Sequence, residues 1–180
     1  MTLLSFSGFL RFSEVVQLRR NDINLKMISH AELFISKPKT DKLRKGSSVI
    51  ISRTGNVTCP VRALERYLTL GKIEESSDAF LFRKISYCKK SDPHKLCSGD
   101  HISYSRAREI FLENISQLGL NRNNFGLHSL RPGGATQAAN SGVPDRLFKK
   151  HGRWKTDNAK DGFVRESLET RKSVSLQLGI

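Results

Sequence analysis

The stretch Gly126-Leu127-His128-Ser129-Leu130-Arg131-Pro132-Gly133-Gly134-Ala135-Thr136 limits the folds open to this chain more than any other segment. It sets a histidine and an arginine three residues apart at the mouth of an apparent helix, a spacing that puts both side chains on one face. The small residues that follow let another backbone, or a ligand, approach closely. An arginine fork beside a histidine suits a phosphate whose charge changes during a reaction. The plainer reading is a helix that caps itself with polar residues and packs through its glycines. An H-x-x-R pattern does not choose between the two on its own.

At 180 residues the chain fits one domain with a real core. Lysine and arginine total 31 against 17 acidic residues, a formal net charge of +14, and the basic residues recur along the whole length. That charge points to a long anionic partner, with DNA or RNA ahead of a membrane surface, and to salt-sensitive binding. A merely solvated basic surface is the alternative. Apolar runs fall short of a bilayer span and the N-terminus carries no secretory signal pattern, so a soluble protein without a membrane partner is expected. Three cysteines, Cys59, Cys88 and Cys97, favour a reducing compartment, cytosol or nucleus, over a disulfide framework.

In chain order, apolar positions over residues 3–18 follow helical spacing around a break near Gly8. Arg11 and Glu14 stand three apart there, either as an internal ion pair or with the acid holding the arginine for another task. Residues 32–36 and 48–52 read as strands of a β-hairpin with a long cationic tip over 37–46. In so basic a chain, that tip is as suited to a nucleic-acid backbone as to solvent. Pro60 opens a helix through Leu70, with Val61, Leu64, Tyr67 and Leu68 as its buried stripe. Residues 86–101 read as a polar loop; its Cys88, His94, Cys97 and His101 lack the paired spacing of common zinc sites, and no metal or other cofactor is expected. A helix capped by Ser103 or Ser105 runs to Leu118 with Ile110, Phe111, Leu112 and Ile115 inward. After the H-x-x-R helix come a short helix over 145–150, a turn at His151-Gly152-Arg153-Trp154 and another short helix over 157–164. Leu168, Val174, Leu176, Leu178 and Ile180 close the chain as residues able to dock on this molecule or a neighbour. The pattern is a mixed α+β fold, mainly α-helical, with a small antiparallel β-sheet.

Taken together, Gly8-Phe9-Leu10-Arg11-Phe12-Ser13-Glu14, His128-Ser129-Leu130-Arg131, His151-Gly152-Arg153-Trp154 and Lys160-Asp161-Gly162 resemble the catalytic domain of the tyrosine recombinases, or phage integrases. Their wording looks most like the eukaryotic recombinases of Crypton-like and retroelement-derived mobile DNA. The resemblance covers nearly the full length, residues 1–180, as one catalytic domain. Because an element starts almost at Met1, the chain is expected to begin partway into a larger unit, without the N-terminal core-binding domain that completes the family's clamp on DNA.

The resemblance implies a double-stranded DNA partner, a tetramer on paired sites, DNA integration or recombination without a cofactor, and a nuclear location, or a cytoplasmic one in a prokaryote. It places Arg11 and Arg131 on the nonbridging oxygens of one phosphate, where they neutralise the transition state. Lys39 protonates the leaving 5′ oxygen, His128 assists proton transfer, Trp154 donates its indole N–H and Glu14 orients Arg11. Trp154, 23 residues after Arg131, is preferred over His151 for the family's histidine-or-tryptophan position. Lys37, Lys42, Arg44, Lys45, Lys149, Lys150 and Arg153 are the expected DNA-binding residues.

The family's tyrosine nucleophile stands nine residues beyond that position, and here the residue is Phe163. Phenylalanine keeps the ring but has no hydroxyl, so no phosphotyrosine bond can form on it. The expectation is therefore a recombinase domain that binds DNA but is defective in cleavage. The alternative is a non-catalytic DNA-binding or scaffolding module derived from a mobile element. An RNA-binding protein would need stacking aromatics on the basic surface. Pro132 also departs from the small polar residue of relatives, though a first-turn proline loses little.

Overall fold

The computed structural model describes residues 1–36, 45–87 and 94–178. The first helical stretch divides in two: α1 spans Thr2–Ser7 and α2 spans Phe12–Val15, separated by the turn at Gly8 and Phe9. Strands β1 (Ile23–Asn24), β2 (His30–Ile35) and β3 (Ser47–Ser52) form an antiparallel sheet in that order. Alternation in β2 and β3 buries Ala31, Leu33, Ile35, Val49 and Ile51 on one face, as a period of two requires. The pairing Leu33↔Val49 and Ala31↔Ile51 fixes the register. β1 is an addition to the expected hairpin: with two residues it carries no alternation of its own, and it pairs Ile23 with Leu33. The cationic tip bearing Lys37, Lys39, Lys42 and Arg44 lies outside the described residues.

Helix α3 (Pro60–Leu70) lays Val61, Leu64 and Leu68 on the apolar face of the sheet. Tyr67 joins this packing, and its hydroxyl donates to the Leu81 carbonyl at 2.8 Å. Residues 86–101 are not a loop throughout. β4 (Arg83–Tyr87) and β5 (His94–His101) pair antiparallel. No residue of either strand is buried, so no apolar alternation marked them in the sequence.

Helix α4 (Tyr104–Gln117) starts at Ser103, whose hydroxyl accepts from the Arg106 N–H, and buries Ala107, Phe111, Leu112 and Ile115 against Leu127 and Leu130. Ile110, expected inward, is exposed, and Ala107 belongs to the buried stripe. A single 3₁₀ turn (Leu127–Ser129) leads into α5 (Leu130–Asn140). Then follow α6 (Asp145–His151), α7 (Asp157–Asp161) and α8 (Leu168–Leu176). The helix expected over 157–164 stops three residues early at Asp161, where Gly162 ends it.

The close approach foreseen for the glycines after Arg131 is made by α1. A Cβ at Gly134 would overlap the Phe6 carbonyl oxygen and reach the Phe9 ring. A third apolar cluster, Phe9, Ala135, Phe148 and Trp154, with Phe163 packed beside it, forms where α1, α5, α6 and α7 meet.

Candidate functional site

Arg11 caps the start of α2 in an extended conformation, and Glu14 folds back on it. The Arg11 backbone N–H donates to one Glu14 oxygen at 2.8 Å, and the Arg11 guanidinium reaches the other at 3.1 Å. An acid at this place satisfies an orphan N–H of the helix start and meets its positive dipole. The Glu14 side chain is only 1% exposed, so its charge must be balanced by its surroundings.

Three guanidiniums do so. Besides Arg11, Arg153 donates to Glu14 at 2.9 Å, and Arg131 stands 3.8 Å away. Arg131 projects from the first turn of α5 and is buried. It donates to the carbonyl of Phe9 and, at 2.7 Å, to that of Gly152. These bonds tie it to the turn before α2 and to the turn after α6. Its guanidinium carbon lies 4.8 Å from the Trp154 ring centre and 5.1 Å from that of Phe163, within cation–π range. Burial and the repulsion of Arg11 lower the Arg131 guanidinium to about 9, with Glu14 pulling the other way.

Trp154 packs at 5.5 Å from Phe163 and 5.1 Å from Phe148, ring centre to ring centre. Its buried indole N–H and the Nε–H of Arg131 have no partner among the described residues. Buried donors without acceptors are uncommon in a folded chain. Three positive groups around one carboxylate leave two uncompensated charges. That surplus charge suits an anion, whose oxygen atoms are the acceptors these donors lack.

His128 sits in the 3₁₀ turn before Arg131, exposed, with its ring against Gly126, where a Cβ would crowd it. Lys149 is engaged with Asp157 at 2.8 Å, while Lys150 and Lys45 face solvent. Arg153, expected on the DNA surface, is placed otherwise: its side chain is 7% exposed and bonds Gly8, Phe9, His151 and Glu14. Nothing in the local sequence marked this inward turn. Buried Lys160 was also unforeseen; it bridges Asp145 and Asp161 and so fixes α7 to α6.

His94 packs against the Tyr87 ring, and His101 meets Phe80 edge-on. Cys88 lies outside the described residues, and no group of three metal-ligating side chains occurs among those described. No described helix is long and apolar enough to cross a membrane.

The architecture that brings these residues together is the catalytic-domain fold of the tyrosine recombinases. It superposes on the XerH site-specific recombinase bound to a palindromic difH substrate with a TM-score of 0.67 at 18% identity, over 99% of this chain and 44% of that one. The XerA recombinase gives a TM-score of 0.67 at 19% identity, over 98% and 54%. The Tn1549 transposon integrase in complex with circular-intermediate DNA gives 0.58 at 14%, over 97% and 55%. In sequence, an integrase/recombinase xerD homolog of Selenomonas ruminantium is 24% identical over 164 residues, 91% of this chain and 45% of that protein. The chain thus spans about half the length of these relatives. The profile of the phage integrase family matches residues 1–161, and the chain belongs to that family.

Proposed function

We propose that this chain is the DNA-engaging catalytic domain of a site-specific recombinase from a mobile element, and that Phe163 leaves it unable to cleave. The observation that carries the reading is the meeting of Arg11 and Arg131 at Glu14, with the Phe163 ring packed on Arg131. Arg11 and Arg131 would hold the nonbridging oxygens of a scissile phosphate and neutralise charge as it builds. The unpartnered indole N–H of Trp154 would add a third donor to the same phosphate. Lys39 would supply a proton to the departing 5′ oxygen, and His128 would assist that transfer. With a tyrosine at position 163, its oxygen would bond to phosphorus as the 5′ oxygen leaves, giving a 3′ phosphotyrosyl link. Phenylalanine supplies no such oxygen.

Binding would fall on the duplex backbone, with the cationic tip and Lys149 and Lys150 contributing salt-sensitive affinity. Assembly as a tetramer on paired sites, a nuclear location and affinity to the Crypton-like recombinases belong to the same proposal. The test is a suicide duplex, whose nick lets the product of cleavage escape. The unmodified chain is expected to give no covalent adduct and Phe163→Tyr to give one; adducts from the unmodified chain would refute the cleavage-defective reading.

The missing hydroxyl also favours a second reading, a DNA-binding module that has left catalysis altogether. The two separate on Phe163→Tyr compared with Phe163→Tyr plus Arg131→Ala. A usable site forms adducts only in the first, and a module without one forms none in either.

A further inference from the structure

We infer that Arg153 is a positioning residue: it neutralises Glu14 from behind, leaving Arg11 and Arg131 their charge for an anionic ligand. The inference rests on the phosphate-binding reading of the same site. It departs from the expectation that Arg153 touches DNA.

Arg153 adopts a left-handed backbone conformation, φ 57°, which a non-glycine residue takes up only at a cost. Phe9, whose carbonyl it bonds, is left-handed as well, φ 48°. Two strained turns facing each other need contacts that hold them. Arg153 supplies four: the carbonyls of Gly8, Phe9 and His151, each at 3.2 Å, and Glu14 Oε2 at 2.9 Å. One guanidinium thereby fastens the turn that carries Arg11 to the turn that carries Trp154.

The charge balance gives this contact its consequence. With Arg153 in place the cluster of three guanidiniums and one carboxylate keeps two positive charges. Without it, Glu14 has only Arg11 and Arg131 to neutralise it, and one charge remains. Arg131 is already shared between two carbonyls and stands 3.8 Å from Glu14, so a carboxylate released by Arg153 would draw it inward. Arg153 acts on the ligand through Glu14, and its own side chain stays buried. A lysine would retain the charge but cannot match the fork that meets four acceptors.

The experiment measures the affinity of the whole chain for a short DNA duplex at fixed salt, together with the thermal midpoint. Arg131→Ala sets the scale for losing one phosphate-binding arginine, expected at roughly tenfold. Arg153→Gln is expected to weaken duplex binding by at least as much. Arg153→Gln with Glu14→Gln should recover to within about threefold of the unmodified chain, since two guanidiniums without a carboxylate restore the same two charges. A purely structural role would lower the midpoint in both variants, with no recovery of binding in the double one, and that result overturns the assignment. Should Arg153→Gln lose its cooperative transition, Arg153→Lys replaces it. Binding within about threefold of the unmodified chain supports the assignment, and a loss as large as that of Arg131→Ala overturns it. If Arg131→Ala binds as tightly as the unmodified chain, the phosphate reading falls and takes this one with it. If Arg131→Ala weakens binding and Arg153→Gln does not, only the role of Arg153 is lost.

Discussion

The Arg131 guanidinium carbon lies 5.1 Å from the centre of the Phe163 ring, so the side chain proposed to stand at the nucleophile position packs directly on the arginine proposed to hold the phosphate. The ring is half-buried, and Trp154 flanks both residues. Under the proposed function, one oxygen atom on this ring is what separates the chain from cleavage.

Phe163→Tyr should therefore fold as the unmodified chain does, with stability changed by less than about 1 kcal/mol, since a hydroxyl on a half-buried ring keeps access to water. It should also gain the ability to form a covalent adduct on a suicide duplex. Denaturing electrophoresis of a labelled strand reads the gain. A correctly folded Phe163→Tyr that never forms adducts would exclude a usable active site in this chain.

Glu14→Gln should move stability and binding in opposite directions. Removing the carboxylate leaves three close guanidiniums uncompensated in a buried site, at a cost of about 3–5 kcal/mol, measurable by urea denaturation. Duplex affinity should hold or rise, because the cluster then carries one more positive charge. A parallel fall in affinity in the folded variant would show that Glu14 serves mainly to orient Arg11.

Gly134→Ala tests the contact between α1 and α5. The added methyl would overlap the Phe6 carbonyl, a backbone atom that cannot rotate away. A loss of about 2 kcal/mol or more is expected in chemical denaturation. At Gly133 the same methyl would meet only the Phe6 ring, at 3.3 Å, and the loss should be smaller because a side chain can yield. Equal losses at the two positions would contradict this packing.

His151 makes the fold sensitive to acid. Burial is the main cause holding its imidazole below the usual histidine range, with the Arg153 charge adding to it, while the bond to the Ser7 carbonyl opposes both. The unfolded chain therefore takes up this proton first, and stability falls as pH drops through about 6.5 and below. The thermal midpoint should decline between pH 7.5 and 5.5, and His151→Gln should flatten that decline. An unchanged pH dependence in His151→Gln would place the acid sensitivity elsewhere.

Elements whose residues face two different environments could be read from the chain. The pair β2–β3 alternated in apolar character, α3 opened on Pro60, and α4 began at Ser103, each a local rule that the packed structure kept. The strands β4 and β5 escaped because both their faces meet solvent. The two-residue β1 exists only by pairing with β2. Within the site, the link between Arg11 and Glu14 was legible because three residues on a helix start are neighbours whatever else the chain does. Burial was not legible in the same way: three residues apart, His128 is exposed and Arg131 is buried.

The sequence by itself determined the short-range facts: charge, helix starts, the strand pair, and the absence of a hydroxyl at position 163. Those depend on residue type and on neighbours a few positions away. Only the tertiary structure decided that Arg153 points inward, that Phe6 fills the space over Gly134, and that three arginines share Glu14. Such contacts join residues more than a hundred positions apart, and burial sets their energy, which no local pattern encodes.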